Sequence, residues 1–403
     1  MVGALSDIYG RQPVDIWPQE CSGLFSASEM KVVNTQKPRN SLVQATGRTG
    51  HGVSPFRRLD TPEQLPHPTS TALTPLQKRA RRVAFGKPLA RMLVGASRGP
   101  LMGKAYSRTL HQCGQLMEQV DGKLKTYWCG YRWCPACTAI KTARAWNAYG
   151  DEVKSWGTDL YMVTLTVPNV SGEVLRATVR TMHNQFANIG QALHRKFGKG
   201  TVKMIRATEC TYSEVRGDFH PHMHCVVKGR ETATALLEGW LKRNPDASPL
   251  AQDMRSGNAG TVAELFKYAT KLSSDKRDND GSRRVIPAHA LDTIFTAFRG
   301  LRLWQAVGVK AANNDEGAID DNADIETEVG TEATTRVNEN IVWEWCQAVT
   351  DWVDLKTGEC LTGYEAGRHA KTLIQKMETL ADDLPQPVWL RSLEKTPLTN
   401  SES

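Results

Sequence analysis

The sequence predicts an α+β protein in which an antiparallel sheet carries helices on one face and is preceded by a small zinc-binding module. Leu160–Val167, Val202–Tyr212 and His220–Val227 are rich in β-branched and alternating residues, as strands require. Between the first two, Leu175, Val179, Met182, Phe186, Ile189, Leu193 and Phe197 recur at steps of three and four, the apolar stripe of a helix of about seven turns. Upstream, Cys113, Cys129, Cys134 and Cys137 stand at metal-like spacing. A strand, a helix, a hairpin and further helices settle as a sheet backed by helices.

The 403 residues suffice for two or three domains, and 40% hydrophobic with 23% charged residues fits a soluble chain. No run approaches the roughly 18 apolar residues of a membrane span, and Met1–Gly10 lacks the basic and apolar regions of a secretory signal. A cytoplasmic protein is expected, with reduced cysteines serving a metal rather than disulfides. The net charge of +8 suits a polyanionic partner. It is unevenly spread: nine Lys or Arg and no acid lie between Gln64 and Met117, and eight acids with no base lie between Asp315 and Glu332. Such runs are solvated faces or phosphate contacts, and Lys78, Arg79, Arg81 and Arg82 are the candidates for DNA binding.

Residues 1–75, rich in Gly, Pro, Ser and Thr, read as a disordered leader. Residues 76–150 hold a basic helix broken by Pro88, then the cysteines and a helix over Ala139–Tyr149. Residues 151–310 form the main domain. After its hairpin come helices over Thr232–Leu241, Thr261–Leu272 and Ala288–Phe298. Residues 311–338 read as an acidic linker. Residues 339–403 form a small C-terminal region, with short strands around a Lys-Thr-Gly turn and a last helix over Gly367–Leu380.

Cys129, Cys134 and Cys137 form C-x4-C-x2-C, with Cys113 sixteen residues before the first. Two pairs of thiolates on facing turns make a tetrahedron that favours a structural zinc. No thioredoxin-like strand precedes Cys134-Pro135-Ala136-Cys137, which speaks against a redox motif.

In His220-Pro221-His222-Met223-His224, strand alternation points all three imidazoles to one face, where neighbouring ones reach a single divalent ion. Three of ten histidines within five residues are hard to explain by packing. Pro221 favours a sheet edge or a strand that begins at His222. Glu209 is the candidate carboxylate. A turn at Arg216–Gly217 sets it opposite His224; an even loop keeps it on the histidine face and an odd one removes it. A mixed imidazole and carboxylate site suits Mg or Mn.

Glu264 and Tyr268 stand one helical turn apart, with Lys271 three residues on. A phenol attacks well when a cation or base helps it ionise, a part Lys271 or the metal can take.

Together, Leu165-Thr166-Val167, the histidine strand and Glu264–Lys271 resemble the three ordered motifs of rolling-circle replication initiators. These are HUH endonucleases, and the likeness is to the plasmid subgroup with a single catalytic tyrosine, which also carries an upstream cysteine cluster. It covers roughly residues 105–310. It implies a five-stranded antiparallel sheet with the histidines on its central strand, His222 and His224 as metal ligands, and Tyr268 as the nucleophile. Glu264 stands where other subgroups carry a second tyrosine, placed to activate water at termination. The implied reaction is a metal-assisted nick at a plasmid origin, single-stranded or extruded as a hairpin, leaving a 5′-phosphotyrosine and a 3′-hydroxyl primer. Host helicase and polymerase are the further implied partners. A relaxase or transposase shares this chemistry, whereas a non-catalytic zinc-containing DNA-binding regulator leaves the histidines and Tyr268 without a use.

Overall fold

The computed structural model describes residues 73–120, 123–198, 200–258, 273–277, 283–312 and 342–384. Thr74 opens the first helix, α1 (Pro75–Ala96), through a capping box with Gln77, and Pro75 fits its first turn. The sequence expects Pro88 to break this helix, yet α1 runs through it. Proline removes the N–H that would bond the Ala84 carbonyl. Gln347 Nε2 donates to that carbonyl instead, at 3.1 Å, so the helix continues with its acceptor satisfied.

In chain order there follow α2 (Pro100–His111), β1 (Leu116–Val120), β2 (Lys123–Lys125), α3 (Pro135–Lys154), β3 (Leu160–Thr166) and α4 (Leu175–Phe197). Next come β4 (Met204–Ser213), β5 (Asp218–Lys228), α5 (Arg230–Arg243), β6 (Asp253–Ser256), β7 (Ser273–Arg277) and β8 (Arg283–Val285). The last described elements are α6 (Ala288–Phe298), β9 (Trp304–Val307), β10 (Val342–Cys346), β11 (Asp351–Asp354) and α7 (Arg368–Asp382).

The main sheet is antiparallel in the order β6-β3-β5-β4-β9, with the histidine strand β5 at its centre. Alternation divides its residues cleanly. Val163, Leu165, Met204, Met223, Cys225 and Val227 pack under α4 and α5, against Met182, Phe186, Ile189 and Trp240. On the other face Met162, Ile205 and Val226 pack against Tyr149 and Val153 of α3. The protein is thus α+β with an antiparallel sheet, and it adds a helix on the second face. That helix covers only one end, and the histidines occupy the other.

β4 and β5 are joined by Glu214–Gly217, four residues rather than two. Gly217 takes φ +68°, and its N–H closes the loop on the Ser213 carbonyl at 2.8 Å. The longer loop moves the register by one pair, so Glu209 faces His222 and not His224. Because the loop length stays even, the carboxylate keeps the histidine face.

Pro221 lies inside central β5, contrary to the edge or strand start that proline favours. Phe219 exchanges backbone bonds with Val170, whereas the Lys228 N–H bonds Lys203 beside β4. By parity, the backbone nitrogen of residue 221 faces the β3 side. There β3 has already ended, at the Thr166–His222 pair, so no acceptor waits for the missing N–H.

A second sheet, ordered β11-β10-β1-β2, joins residues the sequence assigns to separate regions. Leu116, Met117 and Glu118 pair with Glu344, Trp343 and Val342. Trp345 and Trp352 are buried with Met117, Leu124, Trp128 and Val83, and the Trp352 indole N–H donates to the Gly114 carbonyl at 2.7 Å. The segment after the acidic stretch therefore completes the core of the cysteine module.

Candidate functional site

Three strands assemble a polar face at the open end of the main sheet. β3 supplies Thr164 and Thr166, β4 supplies Glu209, and β5 supplies His220, His222 and His224. Glu209 Oε2 lies 3.6 Å from His222 Nε2 and 3.9 Å from His224 Nε2. Those separations are too long for hydrogen bonds; ligands on one ion with bonds of about 2.1 Å stand roughly 3.0–3.6 Å apart, so the first is at the edge of that range and the second is a few tenths of an ångström beyond it. The three ligand atoms all lie within 4.8 Å of one another, and this group can hold a metal. His222 is buried and Glu209 and His224 are partly buried, so an ion here is reached from one side.

The rings are aimed by their other nitrogens. His222 Nδ1 donates to the His220 carbonyl at 3.1 Å, which leaves Nε2 with its lone pair towards Glu209. His224 Nδ1 bonds the Thr164 hydroxyl at 3.2 Å, directly across the strand pair. His220 is engaged elsewhere: its Nδ1 meets Asn169 Oδ1 at 2.9 Å, and Asn169 Nδ2 donates to Asp218. Burial, with His222 beside it, lowers the His220 pKa. Of the three histidines, two join the ligand group and the third turns away. Thr166 is braced by Gln252, whose Nε2 donates to the threonine hydroxyl at 2.9 Å.

Thr164 and Asn169 escape a sequence reading. Thr164 is recoverable once the β3–β5 register is known, because it sits opposite His224. Asn169 lies in an irregular segment and carries no periodic signal. Glu264, Tyr268 and Lys271 lie outside the described residues.

The cysteines form a second, closed cluster. Cys113 Sγ lies 3.6 Å from the sulfurs of Cys134 and Cys137, and Cys129 Sγ lies 3.6 Å from that of Cys137. A disulfide needs about 2.0 Å, whereas a tetrahedron of metal–sulfur bonds near 2.3 Å has edges of about 3.8 Å. The four sulfurs can therefore hold one metal ion. Hydrogen bonds among the sulfurs, then burial, push the thiols of Cys134 and Cys137 well up. Burial also raises Cys129, but hydrogen bonds from Cys113, Cys134, Cys137 and Thr109 outweigh it and hold that thiol well below its ordinary value. The cluster thus favours a thiolate at Cys129 and opposes one at Cys134 and Cys137, and a bound cation would let those two ionise. Lys87 stands nearby, bonded to the Leu110 carbonyl and Gln115; burial pushes it down to about 8, resisted by the negative charge that the neighbouring cysteine cluster can carry.

The basic run on α1 divides. Lys78 and Arg81 are exposed, whereas Arg79 and Arg82 are half-buried, and burial lowers the pKa of each. Two of the four candidates thus face solvent fully. No described helix is long and apolar enough to cross a membrane.

Residues 122–230, from the cysteine module through the histidine strand, match the family model described as replication protein. Proteins named "Protein rep" are similar: one from a Bacillus species is 31% identical over 117 residues, 27% of this chain and 38% of that protein. Another, from Bacillus amyloliquefaciens, is 27% identical over 164 residues, 38% of this chain and 46% of its own length. A third, from Staphylococcus aureus, is 28% identical over 162 residues, 36% of this chain and 70% of its own length. The chain thus spans less than half of the first two relatives. No solved structure is similar. Residues 122–230 are thus similar to the replication-protein family and to these relatives.

Proposed function

We propose that this protein initiates rolling-circle replication of a plasmid by nicking one strand of its origin, as an HUH endonuclease with a single catalytic tyrosine. The observation that carries the reading is the Glu209, His222 and His224 group on the open face of a central antiparallel strand, within the segment that matches replication proteins. Mg or Mn fits this donor set of two imidazoles and a carboxylate, and when bound it supplies charge that polarises the scissile phosphate. Cys113, Cys129, Cys134 and Cys137 hold a structural zinc.

The residues then have distinct parts. The His220 carbonyl fixes the His222 tautomer that leaves Nε2 as a ligand, and the Thr164 hydroxyl orients the His224 ring so that its Nε2 can be the other. Tyr268 forms the new bond from its phenolic oxygen to phosphorus, and the bond to the 3′-oxygen breaks, leaving a 3′-hydroxyl primer. Lys271, three residues after Tyr268 in the sequence, favours the phenolate. Since one phosphodiester replaces another, its energy is retained for rejoining. Glu264 takes a proton from the water that later releases the protein. Exposed Lys78 and Arg81 meet the DNA backbone.

The test is incubation with Mn and a labelled single-stranded oligonucleotide spanning the plasmid origin, followed by a denaturing gel. The wild type gives a covalent band. Tyr268→Phe, which loses only the hydroxyl, gives none, whereas Glu264→Ala forms the band and fails to release it. An adduct with Tyr268→Phe places the nucleophile elsewhere and ends this assignment.

A further inference from the structure

Beside the cysteine cluster lies a cavity of about 360 Å³, within the size range of small-ligand sites. One wall is the loop between Cys129 and Cys134, where Tyr131 stacks on Trp133 with ring centroids 4.3 Å apart and planes 15° from parallel. The opposite wall is α6, through Ile294, Phe295 and Phe298. Lys104, Arg108, Arg132 and Arg299 also line it, and among the described residues no acidic one does. Lys104 and Arg108 are exposed and stand one turn apart on α2, and Arg299 is exposed at the end of α6. None of these residues has a part in the proposed nick.

We propose that this cavity takes an unpaired base of single-stranded DNA, with the flanking phosphates on Lys104, Arg108 and Arg299. The inference rests on the reading above only in taking origin DNA as the polyanion. Two chemistries point the same way. An aromatic and apolar interior accepts any base by its π-face, and a rim of cations without acids accepts the backbone on either side of it. An acidic peptide would satisfy the rim and leave the stacked interior unused, and an apolar ligand would do the reverse.

The geometry also gives the cysteines a purpose beyond stability. Arg108 Nη1 donates to the Tyr131 hydroxyl at 3.2 Å, and the Trp133 indole N–H donates to Thr109 Oγ1 at 3.0 Å. The same threonine hydroxyl meets Cys129 Sγ at 3.3 Å. The sulfur cluster therefore anchors both ends of the loop that makes the aromatic wall. Cys210 lines the cavity from β4, and alternation sets it on the sheet face opposite Glu209. The cavity is thus a second contact point, away from the histidine site.

The test uses the full-length, metal-loaded protein and two fluorescein-labelled oligonucleotides, one of thymidines and one with the same backbone but abasic throughout. The wild type binds the thymidine strand about tenfold more tightly, the scale of one stacked base. Lys104→Glu with Arg108→Glu, both exposed, weakens binding of both strands and lowers the salt dependence. Tyr131→Ala removes the preference for bases while keeping the abasic affinity, and a 5-iododeoxyuridine strand photocrosslinks to the peptide holding Tyr131 and Trp133. Equal affinity for both strands in the wild type, or crosslinks confined to other segments, overturns the proposal. The adduct assay is independent: a wild type that forms the adduct but shows no base preference loses this cavity and keeps the nicking reading, and the converse result does the opposite.

Discussion

The cysteine cluster and the histidine cluster both offer ligands to a metal, yet they are built in opposite ways. The cysteines bring four sulfurs together among buried tryptophans, and their surrounding core needs residues from both ends of the described chain. The histidine group needs one hairpin and its neighbour β3, offers three ligands, and leaves one side open. Closure with a full set of ligands is how a metal becomes part of the fold; an incomplete set on an open face leaves positions for a substrate. The difference teaches where the free energy of a metal bound at each would go, into folding at the first and into binding at the second.

The largest effect expected is therefore at the closed end. Stripping the metal from the cysteines removes on the order of 10 kcal/mol of folding free energy. Cys134→Ser should leave the module without near-ultraviolet tryptophan signal and the protein poorly soluble. Elemental analysis should find one zinc per wild-type chain; finding none contradicts a structural zinc.

A second prediction tests whether the C-terminal strands belong to that end. Trp352 is fully buried and bonded to Gly114, so Trp352→Ala should cost about 3–5 kcal/mol in denaturant unfolding and weaken zinc retention. A loss confined to residues 342–384, with the cysteines unaffected, would separate the two.

How much of this was legible in the sequence follows the same division. The histidine end is local: β3, α4 and the hairpin announce themselves by periods of two and of three to four, and even loop parity was enough to put Glu209 on the histidine face. Only the register was missed, because a four-residue loop and a two-residue loop look alike around Gly217. The cysteine end is not local. The sulfur spacing is visible, but nothing in Leu116–Glu118 or in Val342–Glu344 names the other as partner. Pro88 reads as a break because the amide that rescues its helix, from Gln347, comes from across the module. Tyr268 and Glu264 rest on their spacing and on the family resemblance, and they lie outside the described residues.

A third, smaller effect concerns a histidine that belongs to neither cluster. His183 on α4 bonds Thr208, whose hydroxyl also accepts from buried Arg206. Burial, then the charges of Arg206 and Arg132, push its pKa from 6.5 down to about 3. The unfolded chain binds this proton below about pH 6.5 while the folded chain refuses it. Stability is full above that pH and falls on acidification towards pH 3, by about 3 kcal/mol at pH 4. His183→Gln should flatten that limb of the pH–stability curve; an unchanged limb would assign the acid loss to other groups.

The smallest effect on the fold is expected at the open end, and it tests the comparison most directly. Without divalent metal, Glu209, His222 and His224 face each other at distances too long for hydrogen bonds. Replacing His224 removes its bond to the Thr164 hydroxyl, and His224→Ala should shift metal-free unfolding by only about 1 kcal/mol. Mn changes that. An ion bound only by the folded state stabilises it by RT ln(1 + [L]/Kd), about 2.7 kcal/mol at a hundred times Kd. The wild-type melting temperature should rise with Mn, and that of His224→Ala or Glu209→Gln should stay flat, with zinc content unchanged in all three. His220→Ala should keep the rise, since that ring turns to Asn169. If His220→Ala abolishes the Mn response as fully as His224→Ala, the site uses three histidines and the place of Glu209 in it is lost. If His224→Ala unfolds the protein without any metal, the open end is structural after all, and the contrast between the two clusters falls.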